Sequence, residues 1–174
     1  MEVPYPSKVT LPARRPAIVR RQRLIELLAQ GLERRITIVS APAGYGKTTL
    51  LLDFAQSWQA PVCWYALDER DRELEAFLRY FLASGRRQFP AFGAELARAL
   101  QRGEPVPPER AVDLLVTAVQ SVGQPFVVIL DDFHYLDEAP ADLRQVLDGW
   151  LYRLPRTATW SSPAAPSLSR LCCP

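Results

Sequence analysis

The sequence predicts an α/β fold, a parallel sheet with helices on both faces, and three observations predict it. Residues 36–50 read ITIVSAPAGYGKTTL: a β-branched run, a glycine-containing loop, then a helix start. Residues 126–132 read FVVILDD, a second buried-strand run that ends in two carboxylates. Around both, apolar residues recur at helical spacing, so strands alternate with helices along the chain.

The first run is the context that a phosphate-binding loop requires. Ile36 opens a strand suited to the interior of a parallel sheet. Gly44 and Gly46 permit backbone angles that side chains disfavour, so several N–H groups can face one anion. The positive end of the following helix assists. In that reading Ala41, Pro42, Ala43, Gly44, Tyr45 and Gly46 form the loop, and Thr49 follows in the helix. Lys47 reaches the β- and γ-phosphates of a nucleotide, and the Thr48 hydroxyl is placed for Mg²⁺. The pattern G-x-x-x-x-G-K-[ST] wants glycine where Ala41 stands, and alanine is its smallest replacement. The plain alternative is a Gly-Lys turn between a strand and a helix. Of 21 basic residues only Lys8 and Lys47 are lysines, and Lys47 sits in the slot that needs a slim ammonium.

Residues 1–17 are proline-rich and basic, which predicts an extended arm rather than a helix. Residues 19–28 read as an amphipathic helix with Leu24, Leu27 and Leu28 inward. Its Arg20, Arg21 and Arg23 suit a solvated face better than a nucleic-acid footprint, because no aromatics interleave them. Residues 47–58 are helical, with Leu51, Phe54 and Trp58 toward the sheet. Residues 61–67 are the next strand, and Cys63 in it is a small buried hydrophobe. The acids of residues 68–71 follow at its carboxyl end. They are either an acidic group in the ligand crevice or a helix cap. Leu74, Phe77, Leu78, Phe81 and Leu82 make a helical core stripe. Further helices are expected over 92–101, 109–122 and 140–154.

The run at 126–132 is a Walker B pattern. A strand buried on both faces delivers its first acid to the sheet's carboxyl edge, beside the phosphate loop. There Asp131 holds Mg²⁺, directly or through water. Asp132 orients or polarises the attacking water. A cap for the next helix accounts for one of these acids but not for both. The single histidine, His134, reads as a hydrogen-bonded spacer.

Composition bounds the remainder. Hydrophobic content of 48%, charge of 23% and a net charge of +2 fit a globular domain without strong electrostatic partners. No apolar run approaches the roughly 20 residues of a membrane span. No signal-peptide core opens the chain. Cys63, Cys172 and Cys173 have neither metal-site nor disulfide spacing. A cytoplasmic, reduced setting is expected.

Three motifs in order carry a resemblance: SAPAGYGKTT from Ser40, WYALDE from Trp64 and ILDDFH from Ile129. Together they resemble the ATPase domain of MalT-like, LuxR-type bacterial transcription regulators, in the STAND class of signalling NTPases. The likeness runs from about Lys8 to Leu154. It implies a P-loop NTPase, three-layer αβα with a parallel sheet, incomplete at the C-terminus. It implies ATP and Mg²⁺ as ligands, Arg20 and Arg21 beside the adenine, and slow hydrolysis resting on Lys47, Asp131 and Asp132. It further implies an ATP-dependent switch with possible self-association. The family's sensor repeats and helix-turn-helix are not in this chain, so a truncated domain without direct DNA binding is expected. The alternatives are a stand-alone small P-loop ATPase or kinase-like module, and a non-functional truncated product.

The expected division is an arm at 1–17, a partial ATPase domain at 18–154 and a tail at 155–174. The tail departs from the family, which has a strand there between the two motif strands. A linker suits its Pro, Ala and Ser. A shifted reading frame is the preferred account, because residues 159–162 read one frame over become apolar if their serines use TCN codons. The encoding DNA decides between them. Loss of a central strand would leave unpaired backbone groups on both neighbours.

Overall fold

The computed structural model describes residues 3–13, 20–32, 34, 36–154 and, for backbone only, 159–162. Helix α1 (Gln22–Gly31) leads into strand β1 (Thr37–Ser40), then α2 (Lys47–Ser57) and β2 (Val62–Ala66). Helices α3 (Leu74–Gln88), α4 (Ala94–Gln101) and α5 (Pro108–Gln120) precede β3 (Val127–Asp131), and α6 (Ala141–Arg153) precedes β4 (Thr159–Ser162). The strands form one parallel sheet in the order β1-β4-β3-β2.

Period-two alternation assigns the two faces of that sheet. Val62 and Trp64 of β2, with Val127 and Ile129 of β3, pack on α1 and α2 through Ile25, Leu28, Leu51 and Phe54. Cys63 and Tyr65, with Val128 and Leu130, face the larger cluster built from α3 to α6. This is a small three-layer αβα sandwich. Burial pushes the Cys63 thiol up to about 12, in keeping with its place as a packed hydrophobe. The aromatic stripe is core: Phe77, Phe81 and Leu82 are each at most 2% exposed. Phe81 meets Trp150 edge-on at 4.8 Å, which ties α3 to α6. Among the described residues no helix is long and apolar enough to cross a membrane.

Helix α1 begins three residues later than its periodicity suggests, and its phase differs. Ile25 and Leu28 point inward with Leu32, whereas Leu27 is 51% exposed. The contact with α2 selects the i, i+3, i+7 face.

Two expectations are corrected. The opening segment is not simply an extended arm, since Pro6–Val9 forms a 3-10 turn with proline at its first position. A missing N–H costs nothing there. Val9 enters the core at 3% exposure, and the Lys8 ammonium is buried against Asp71. It also lies 3.1 Å from Asp68 and over the Tyr80 ring at 4.4 Å. The central strand is also not lost. Strand β4 pairs with β1 from Thr37 to Ser40 and with β3 at Ile129 and Leu130. Strand pairing needs backbone groups rather than apolar side chains, so Thr-Trp-Ser-Ser fills the gap. Residues 155–158 and 163–174 of the expected tail lie outside the described residues.

One packing contact yields a stability expectation. Phe92, in the bend before α4, covers Gly85 of α3. A β-carbon at Gly85 would stand 2.2 Å from Phe92 Cδ1 and 2.5 Å from Cε1. Gly85→Ala is therefore expected to cost about 1–3 kcal/mol in a urea titration, the range for overpacking.

Candidate phosphate-binding site

The register fixes which groups meet at the sheet's carboxyl edge. Thr37 is level with Thr159, and Thr159 with Ile129. One residue on, Ile38 is level with Trp160 and Leu130, so Ser40 ends β1 and Asp131 ends β3 on the same side of the sheet, with β4 between them. The loop leaving β1 and the acids leaving β3 emerge from the same edge, about 10 Å apart at strand spacing.

The loop has the backbone its glycines suggest. Gly44 and Gly46 take φ of 82° and 76°, and a β-carbon at Gly44 would meet nothing within 4 Å. The requirement there is conformational rather than spatial. Gly46 caps α2, whose first turn carries Lys47, Thr48 and Thr49, all partly buried. Ala41 is partly buried, while Pro42, Ala43, Gly44 and Tyr45 are exposed, Tyr45 at 64%. The Lys47 ammonium is folded into the loop and donates to the carbonyls of Ala41 (2.8 Å) and Pro42 (3.1 Å). It must leave them to meet an anion. The fit to a phosphate is good in kind: an open left-handed bend, a helix N-terminus and a mobile-length ammonium share one mouth.

Arg21 reaches the same loop, donating from Nη1 to the Tyr45 carbonyl at 3.0 Å. Its Nη2 is 3.7 Å from where a Gly46 β-carbon would be. Arg20 turns elsewhere, 3.9 Å from the buried Asp53 of α2. The pair therefore divides: Arg21 lies over the glycine loop and Arg20 against the helix behind it.

Opposite, Asp131 is 2% exposed and accepts the Asp132 N–H at 3.1 Å. Asp132 has φ of 56°, the one positive φ outside glycine among the described residues. Aspartate tolerates that region better than most residues. Burial, then the Asp131 charge, push its carboxyl up from the ordinary range, while His134 and then Lys47 hold it down. The charge of the loop lysine is thus felt at Asp132.

The acids of residues 68–71 resolve into a cap. Asp68 accepts from Arg70 N at 2.9 Å and Asp71 accepts from Asp68 N at 2.7 Å, closing a capping box on Glu69–Arg72. Two residues that the motifs do not flag connect this turn outward. Lys8 anchors it to the opening segment, and Arg72 donates from Nε to the Tyr135 carbonyl at 3.0 Å, in the turn after the acid pair. Lys8 had a signal, since lysine is as scarce as the argument for Lys47 requires. Arg72, one arginine among many, had none.

The AAA ATPase domain family matches residues 10–149 of the chain. The chain belongs to that family. This AAA ATPase domain is also 31% identical over 131 residues to the HTH-type transcriptional regulator MalT of Serratia proteamaculans (strain 568). That match covers 75% of this chain and 14% of the relative. The proteins of the same name from Yersinia pestis (strain Pestoides F) and Yersinia pseudotuberculosis (serotype O:1b) are 30% identical over the same length. The AAA ATPase domain therefore spans 14% of the length of these curated relatives.

Proposed function

We propose that this chain is the ATP-binding, slowly hydrolysing switch domain of a MalT-like, LuxR-type transcription regulator. The observation that carries the reading is the sheet order, which sets the loop leaving β1 and the Asp131–Asp132 pair ending β3 at one carboxyl edge with only β4 between them. Backbone N–H groups of the bend from Ala41 to Gly46 receive the phosphates with Lys47, and Thr49 closes the first helical turn behind them. The Thr48 hydroxyl and the Asp131 carboxylate form the hard oxygen set that Mg²⁺ favours. When bound, Mg²⁺ neutralises charge on the phosphate oxygens. Asp132 orients the attacking water, its partly desolvated carboxyl being suited to accept a proton. Arg21 supplies a further positive group beside the loop, and Arg20 stiffens its support on α2.

The same reading assigns self-association to the ATP-bound state and DNA contact to other parts of the regulator. It keeps the division at 1–17, 18–154 and 155–174 and a cytoplasmic setting. Calorimetric titration with Mg-ATP tests it. Saturable one-to-one binding followed by slow phosphate release supports it, and the absence of heat at about millimolar ATP, a Kd weaker than roughly −4 kcal/mol, ends it.

A second expectation concerns Asp132 alone. Its carboxyl pKa is raised in the folded chain, so the native state holds that proton more firmly than the unfolded state does. Its contribution is most favourable at acid pH and declines as pH rises through the raised value. At neutral pH the ionised group is a cost to the ligand-free protein. Asp132→Asn removes the charge and keeps a residue at ease with positive φ. Its thermal midpoint at pH 7 is expected to rise, with the gain shrinking toward pH 4, while phosphate release falls. A lower midpoint at pH 7 would refute the assignment of cost.

A further inference from the structure

His134 lies in the 3-10 turn Phe133–Leu136, whose cap is Asp132. Its Nδ1 is sealed from solvent, makes no hydrogen bond, and stands 3.9 Å from Asp132 Oδ1. A buried nitrogen left this way is costly unless a partner closes on it. The ring is seated: it packs on Tyr135 with centroids 4.3 Å apart. Tyr135 is pinned in turn by Arg72 through its carbonyl, and Arg72 Nη2 lies 3.4 Å from Glu138. The platform under the imidazole is thus tied to the capped turn after β2. The carboxylate it faces is less secure, 44% exposed at the tip of a left-handed bend. A water-orienting carboxylate must be aimed, because an error of about 1 Å costs on the order of a hundredfold in rate.

We propose that His134 is a positioning residue for Asp132, its Nδ1–H donating to Oδ1 and fixing the direction in which the carboxylate faces the attacking water. The other charged groups that act on the pair are Asp131 and Lys47, felt by Asp132, and Asp137, which feels His134. None of these three belongs to the turn that Asp132 caps. A separation of 3.9 Å is the loose form of such a contact, and catalytic hydrogen bonds of this kind tighten around a substrate. The proposal rests on the reading of Asp132 given above.

Three substitutions separate positioning from spacing. His134→Asn puts an amide nitrogen near the Nδ1 position, His134→Gln reaches the Nε2 position, and His134→Ala offers neither. All three are expected to bind Mg-ATP within about threefold of the parent, with kcat falling about tenfold or more in Gln and Ala and recovering in Asn. Equal loss in Asn and Ala, or an unchanged kcat in Ala, overturns the proposal. If Asp132→Asn leaves kcat intact, the reading of Asp132 itself has failed and the proposal falls with it. A readout without turnover uses the fact that the chain has one histidine. Its imidazole ¹⁵N signals in the Mg-ATP-saturated protein are expected to show the Nδ1–H tautomer, changing to Nε2–H in Asp132→Ala. The same tautomer in both proteins overturns it.

Discussion

Lys47→Ala is expected to weaken Mg-ATP binding by about a hundredfold or more, roughly 2.7 kcal/mol or beyond. Charge-assisted bonds to phosphate are among the strongest polar contacts a protein makes, and the loop's N–H groups alone do not replace an ammonium. The ligand-free protein should hardly notice. The Lys47 amine donates only to carbonyls of its own partly exposed loop, so its loss is expected to move stability by no more than about 0.5 kcal/mol. Unchanged affinity by calorimetry would remove the site from this part of the molecule. Lys47→Arg should not restore binding, because a planar guanidinium does not fit where a slim ammonium threads a tight bend.

The largest effect on stability is expected at the other lysine. Lys8→Ala leaves the buried Asp71 carboxylate without its cation, and Asp71→Ala leaves the Lys8 ammonium with the half-exposed Asp68 at 3.1 Å in place of a buried partner. The carboxylate of Asp71 has no exposure and the Lys8 side chain only 10%. Breaking such a pair costs about 3–5 kcal/mol, a large part of a typical total of about 5–15. The double variant Lys8→Met, Asp71→Leu should lose less than the sum, because neither charge is stranded. Urea unfolding followed by tryptophan fluorescence measures all three. A loss below about 1 kcal/mol in both single variants would show that the opening segment is held by Val9 and its turn rather than by the ion pair.

The contrast between the two lysines shows what the sequence displays. Lys47 is legible because its neighbours form a local pattern: strand, glycines, helix. The acid pair is legible for the same reason, an apolar run that stops at two carboxylates. Both are local statements, and the register brings them to one edge. Lys8 is opposed by its neighbourhood. Prolines and basic residues read as solvated chain, and only the distant Asp71, 63 positions away, shows that the ammonium is buried. A cap at Asp71 or nearby is one of two readings open from the sequence, and the bonds from Arg70 N to Asp68 and from Asp68 N to Asp71 put the cap itself at Asp68. Strand β4 is hidden differently. Thr-Trp-Ser-Ser has no apolar run, and the resemblance alone asked for a strand there. The division of Arg20 from Arg21 depends on rotamers and on Asp53, which no periodicity reveals.

The strand order has a consequence for how the polypeptide matures. The β1 strand cannot bond to β3 directly, because the place between them belongs to β4, the last of the four to leave the ribosome. Until it arrives, the nascent chain exposes two open hydrogen-bonding edges where the sheet will close. Assembly through such sequence-distant pairings is slow, and its half-finished species are the ones that chaperones hold and that stick to one another.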